Sequence, residues 1–312
     1  MELTNSLKKR FASDLKLPIN IYSEPYFEYF MELYDKDFQT KEKLKHFEAL
    51  LSKFSNQDEF FKNSERISSS IKDLILNTQT YKKLNGFDMN KEFPLEEQVK
   101  QQNIYILPNV GKKLISVDLE KANFNVLKMI GLNKEIEVET YHELLKKFTD
   151  DEYYFISKKI RQVIFGELNP ARQQRIQKFV INNLCTTLKE QGCILSSASS
   201  DEIIIQNQDL SANDVKEILK NVPEEYKFFR VEDFFFEKID ENYDFFVKTT
   251  LTDKGPKTEF KNVPSHVFAQ VYKRYIGQET NDYDLLFYHE HFLAQFKEKL
   301  FSSDLNKKMK IK

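Results

Sequence analysis

Residues 115–131 read ISVDLEKANFNVLKMIG, an apolar run that stops at the acid Asp118 and passes into a segment with apolar residues three and four apart. The run has the length and branched side chains of a buried strand, and the spacing beyond it predicts a helix closed by Gly131. An aspartate at such a junction has two uses. It can cap the new helix with its side-chain oxygen, or it can stand at the strand end as an acid aimed at a partner. A second acidic site therefore matters, and SSASSDEIII at 196–205 supplies one. Asp201 and Glu202 fall at a turn expected between two apolar strands, CILSSAS and EIIIQN, where the ordinary alternative is a polar hairpin tip.

Outward from this centre, residues 102–118 predict two short strands joined by a turn at Pro108, Asn109 and Gly111. Residues 1–101 read as helical, through SEPYFEYFMELYDKDF, TKEKLKHFEALLSKF and SERISSSIKDLIL, with start signals at Ser23 (Pro25 close behind) and Thr40. Beyond Gly131, helices are expected at 137–148 and 151–165. A long one restarts at Asn169-Pro170, has Ile176, Phe179, Val180, Leu184 and Leu188 on one face, and ends at Gly192. After the acidic hairpin, SANDVKEILKNV predicts a helix. YKFFRVEDFFFEKI and NYDFFVKTTLT then predict alternating aromatic strands around the turn Asp240-Glu241-Asn242. Helices at 264–276 and 283–300 and a solvated tail, NKKMKIK, complete the reading. The expected fold is α+β rather than a doubly wound parallel sheet. It has three parts: a helical region 1–101, a core 102–209 with an antiparallel sheet and packed helices, and an aromatic-rich hairpin and helical region 210–312.

A formal net charge of -2 excludes a chain built throughout as a basic clamp on nucleic acid, leaving room for a local basic groove. The two cysteines, Cys185 and Cys193, are too few for a disulfide framework and form no CxxC, which points to a reducing compartment. There is no apolar stretch of signal or membrane-spanning length, so a cytoplasmic location and no membrane partner are expected. The chain, with only seven glycines, has neither a Walker loop nor GxGxxG. The serines of SSASS have no histidine partner in view for nucleophilic catalysis. His289 and His291, two apart on a predicted helix, point about 200° apart and make no metal pair.

One acid at a strand end and two at a hairpin tip repel one another if they meet, and hard divalent ions bound through oxygen relieve that repulsion. A strand ending in Asp118, then a helix, a basic helix and an Asp-Glu hairpin follow the order of motifs A, B and C in the palm domain of nucleic-acid polymerases. The middle part, SKKIRQVIFGELNP, is similar to motif B of family A DNA polymerases, since Arg161 and Phe165-Gly166 keep the family's spacing of a basic residue, three residues and Phe-Gly. The resemblance covers 112–206, about a third of the chain. Asn169-Pro170 stands where Tyr-Gly usually closes motif B, and Ser200 where a His is usual. The short span from Asp118 to Asp201 resembles a diverged, minimal palm of a viral or mobile element.

What the resemblance implies is a palm-like antiparallel sheet and two-metal transfer of nucleotides to a 3′ hydroxyl. Asp118 and Asp201 would hold Mg²⁺ or Mn²⁺ with Glu202 assisting. Arg161 and Lys158 would neutralise the triphosphate, and Phe165 would stack near the incoming base. The residue that selects the sugar would be Asn123, or Phe124 if the register slips by one. The plain readings are a solvated basic helix face for Lys158 and Arg161 and a core ring for Phe165. Arg172, Arg175 and Lys178 form a basic stripe that either tracks a phosphate backbone or offsets acidic surface. The implied partners are nucleic acid, nucleoside triphosphates and a replication or polymerase-complex protein. The alternative, from another class, is a non-catalytic scaffold that binds nucleic acid or a replication partner through its Phe-rich strands 227–248.

Overall fold

A computed structural model of the chain describes residues 1–95, 100–206, 209–252, 255–289 and 292–301. The N-terminal block is helical as expected: α1 (Asn5–Asp14), α2 (Tyr26–Phe38), α3 (Thr40–Leu51), α4 (Gln57–Leu76), α5 (Gln79–Gly86) and the single turn α6 (Met89–Glu92). Asn56 and Thr78 cap α4 and α5, accepting the N–H groups of Glu59 and Tyr81. The two start signals read from the sequence work differently. Pro25 stands at the N-cap of α2 without a side-chain cap. Thr40 is already inside α3, with its buried hydroxyl donating to the Met31 carbonyl.

Next come β1 (Leu114–Leu119), α7 (Ala122–Met129), α8 (Leu132–Ile136), α9 (Tyr141–Lys146), α10 (Glu152–Ile156), α11 (Lys158–Gly166) and α12 (Pro170–Glu190). The helix expected over 151–165 is broken at Ser157, whose extended backbone ends α10 and whose hydroxyl accepts the Ile160 N–H to start α11. Then follow β2 (Leu195–Ala198), β3 (Glu202–Ile205), α13 (Ala212–Ile218), β4 (Phe229–Asp240), β5 (Tyr243–Thr252), β6 (Gly255–Lys261), α14 (Phe268–Tyr275), β7 (Leu286–His289) and β8 (Phe292–Gln295).

Strands β1 to β6 form one sheet in the order β2-β3-β1-β4-β5-β6, antiparallel at every pairing. The fold class is thus α+β, as the sequence predicts. Within the sheet, β1, β2, β3 and β4, with α12 before β2 and α13 before β4, have the order of the split β-α-β-β-α-β unit. Two further expected elements differ. Residues 102–106 form no strand: a tight turn, with Ile106 N–H donating to the Ile104 carbonyl at 3.0 Å, leads into a short 3₁₀ turn at Leu107–Asn109. The helix expected over 283–300 is instead the hairpin β7–β8, where aromatic side chains favour a pleated surface and the rings of Phe287 and Phe296 stack 4.4 Å apart. The tail from 302 onward and His291 lie outside the described residues.

Alternation along β1 divides the molecule into layers. Ile115, Val117 and Leu119 face α12 and α13, packing with Leu184, Val215, Ile203 and Ile205. Leu114, Ser116 and Asp118 face the other way, beside Ile204, Phe234 and Phe236, where Ile104 and Tyr105 of the unpaired segment cover part of the sheet. Each fully buried branched side chain contributes about 1.5–3 kcal/mol, so a one-residue slip that exchanged the faces is strongly disfavoured. One core joins the N-terminal helices to α7–α11, and β1 is bonded to both β3 and β4, so the boundary at 209 cuts a continuous sheet.

Candidate functional site

The pairing of β1 with β3 sets Asp118 directly opposite Glu202. The ladder continues one step into the hairpin, where Leu119 N–H donates to the Asp201 carbonyl at 2.8 Å. Ser199 fixes this turn: its hydroxyl accepts the N–H groups of Asp201 and Glu202 at 3.2 and 2.9 Å and donates to Asp201 Oδ1 at 2.8 Å. The acids read from the sequence therefore meet at one place in the sheet. Asp118 is not a helix cap: Lys121, in the left-handed region, occupies the N-cap of α7 with no side-chain cap bond.

The surroundings of the acids were not legible as site residues in the sequence. Arg230, opposite Asp118 on β4, donates to Asp118 Oδ2 at 3.3 Å and pairs with Glu232 at 2.9 Å. Ser116 donates to Glu202 Oε1 at 2.7 Å. Lys248, on β5, reaches over the two intervening strands to within 3.8 Å of the same oxygen, its ammonium 4.2 Å from the Phe234 ring centroid. This lysine is almost wholly buried, and burial lowers its pKa despite the attraction of Glu202. Asp118 is raised to about 6, first by burial and then by repulsion from Glu202 and Asp201, with Arg230 and Lys248 opposing. Among the described residues, no three His, Cys, Asp or Glu side chains are grouped so as to hold a metal ion.

The raised pKa has a consequence for stability. A proton is held more tightly in the folded state, so this group's contribution is complete below its ordinary value of 3.8 and is lost as pH rises through about 6. Asp118→Asn is therefore expected to stabilise the fold at pH 7, with the gain vanishing toward pH 4. More than a third of the side chain is exposed, so water screens the effect to about 1 kcal/mol. Urea denaturation of both proteins at pH 4, 5.5 and 7 measures it, and a gain independent of pH contradicts the assignment.

A cationic region continues along the same face. Burial pushes Glu259 of β6 up, but Lys257 at 2.7 Å and Lys261 at 2.8 Å overcome this and hold its carboxyl at about 2. Lys158, at the start of α11, is lowered by burial and by the charges of Lys257, Lys16 and Arg161. Lys158 thus belongs to this cationic region, while the Arg161 guanidinium lies 5.8 Å from the Tyr141 ring centroid.

The remaining predicted residues are placed otherwise. Phe165 is fully buried against Phe124 and Tyr141. It is a core ring with no face open to a base, which corrects the stacking role expected of it. Asn123 accepts a hydrogen bond from Gln177 of α12. Arg172 donates to the carbonyls of Leu84 and Phe87, each at 2.9 Å, and Arg175 to the Phe93 carbonyl and Asn90 Oδ1 at 2.9 and 3.1 Å. These two bind α12 to the end of α5 and the segment that follows it, while Lys178 stands half-buried further along the helix. Arg172→Ala is expected to cost about 2 kcal/mol, because two carbonyls lose a charged donor. Lys178→Ala is expected to change stability by less than about 0.5 kcal/mol; urea denaturation compares them.

Comparison of the chain with protein-family models, with curated proteins and with solved structures finds no match.

Proposed function

We propose that the chain is a palm-type nucleotidyltransferase that joins nucleotides to a 3′ hydroxyl, with nucleic acid and nucleoside triphosphates as substrates. The observation that carries this reading is the register pairing Asp118 with Glu202, beside Asp201, on adjacent strands of a split β-α-β-β-α-β sheet. The chemistry of the acids suits a hard divalent cation: the donors are all oxygens, and burial together with repulsion from Glu202 and Asp201 raises Asp118; the carboxylates are not grouped as a metal site in the resting fold and would have to close on the ion. Mg²⁺ or Mn²⁺ held by Asp118 and Asp201, with Glu202 assisting, would activate the hydroxyl and neutralise the departing pyrophosphate. Arg230, which meets Asp118 through Oδ2 at 3.3 Å and has Glu232 as its closer partner at 2.9 Å, would stand beside the bound ion. Ser116 orients Glu202. Lys158, with Lys257 beside it, offers charge for the triphosphate.

A second reading is favoured by one observation. Arg230 and Lys248 already lie against Asp118 and Glu202, where cations bound by an enzyme would lie. On that reading the fold is a non-catalytic scaffold whose acids are neutralised internally, binding nucleic acid or a replication protein. The test is incorporation of labelled nucleotide onto a primed template with Mg²⁺ or Mn²⁺, beside Asp118→Ala and Asp201→Ala. Incorporation lost in both variants supports the enzyme. A folded wild-type protein with no incorporation, whose nucleic-acid binding is untouched by both substitutions, supports the scaffold.

A further inference from the structure

A cavity of about 320 Å³ lies beside the acids, between the unpaired segment 101–105 and the β2–β3 hairpin. Its size is at the lower end of the range for small-molecule sites. The segment is strapped to the sheet: Gln102 N–H donates to Ser197 Oγ at 2.9 Å, and the same hydroxyl donates back to the Gln102 carbonyl at 3.1 Å. Asn109 holds the Ile104 carbonyl at 3.0 Å, and Asn262 the Tyr105 carbonyl at 3.3 Å. An otherwise unpaired segment is thereby fixed over the face of the sheet that carries Leu114, Ile204 and Phe234 beside Asp118 and Glu202.

The lining has a distinctive chemistry. Gln101, Gln102 and Asn103 contribute side-chain amides, Ser199 a hydroxyl and Glu202 an acid, with no lysine or arginine among the lining residues. Glu202 is the one charged residue of the lining, its cation Lys248 lying outside it, so the cavity favours an uncharged group over phosphate. Side-chain amides, with paired donors and acceptors, match the edges of nucleobases. Tyr105 forms one wall, its ring edge-on to Phe236 at 5.1 Å. Its hydroxyl has no hydrogen-bond partner among the described residues. Burial, with Glu202 and Glu259 nearby, raises its pKa, so it remains a donor at neutral pH. The same face is cationic around Lys158, Lys257 and Lys261.

We propose that the cavity under residues 101–105 is a nucleoside subsite, which takes the uncharged base and sugar of a nucleotide while phosphates lie toward Lys158 and Lys257. Its place in a transfer reaction rests on the reading of Asp118, Asp201 and Glu202 given above; binding of the nucleoside itself does not. The test is equilibrium dialysis of labelled adenosine and cytidine against the full chain without metal. Saturable binding is expected, competed by unlabelled nucleoside and not by ribose. Gln102→Ala keeps the backbone strap and Tyr105→Phe keeps the packing on Phe236, and each is expected to weaken binding about five- to tenfold through one lost hydrogen bond. Nucleoside binding with that pattern in a protein that incorporates no nucleotide supports the subsite and removes only the transfer reading. Incorporation without nucleoside binding overturns the subsite. So does binding shared equally by ribose, or unchanged in both variants of a protein whose circular dichroism is native.

Discussion

Asp118→Ala is expected to lower nucleotide incorporation on a primed template by about a thousandfold or more, while leaving the protein at least as stable as the wild type at pH 7. The two parts have one cause. The carboxyl is partly buried beside Glu202 and Asp201 and is raised to about 6, so its ionised form is unfavourable in the resting fold. A group kept at such a cost to stability, and used neither as a helix cap nor as core, is of the kind found where function requires it. Loss of an acid that positions divalent ions removes several kcal/mol of transition-state stabilisation, which corresponds to three or more powers of ten in rate. Incorporation rates are measured beside circular dichroism and urea denaturation. Incorporation unchanged in a folded Asp118→Ala protein would falsify the proposed transfer site. The Mg²⁺ concentration needed for half-maximal incorporation is also expected to rise as pH falls through about 6, because the ion has to displace the proton from Asp118 to bind.

Phe165→Ala is expected to destabilise the protein by about 3–5 kcal/mol, a large part of the 5–15 kcal/mol typical of a folded domain. The ring is fully buried on α11 and packs against Phe124 of α7 and Tyr141 of α9. Its loss opens a cavity at the junction of three helices. Phe165→Leu, which refills most of that volume, is expected to cost under about 1.5 kcal/mol. A base-stacking Phe165 predicts the reverse: near-normal stability in Phe165→Ala with a raised KM for nucleotide. Urea denaturation with nucleotide titration separates the two. The outcome also bears on α11, since the same helix carries Lys158 at its start and Phe165 in the core.

The sequence was sufficient wherever a signal is local. The passage from strand to helix over 115–131, the apolar face of α12 and the acidic hairpin at 195–205 are visible because side-chain periodicity and turn residues are properties of neighbouring positions. Asp118 as a candidate acid, rather than one more surface carboxylate, followed from its place at the end of such a run. What tertiary structure decided is everything that depends on register and on competition between partners. Only strand pairing sets Asp118 opposite Glu202 on one side and Arg230 on the other, and only the shape of the whole sheet brings Lys248 over two strands to Glu202. Residues 102–106 resemble a strand but pair with none, while 286–289 and 292–295 have helical spacing but pair with each other as strands. In each case intrinsic preference differs by at most about 1 kcal/mol per residue. Burial and cross-strand contacts supplied by residues far away in the chain outweigh it, and those contacts exist only once the chain has folded.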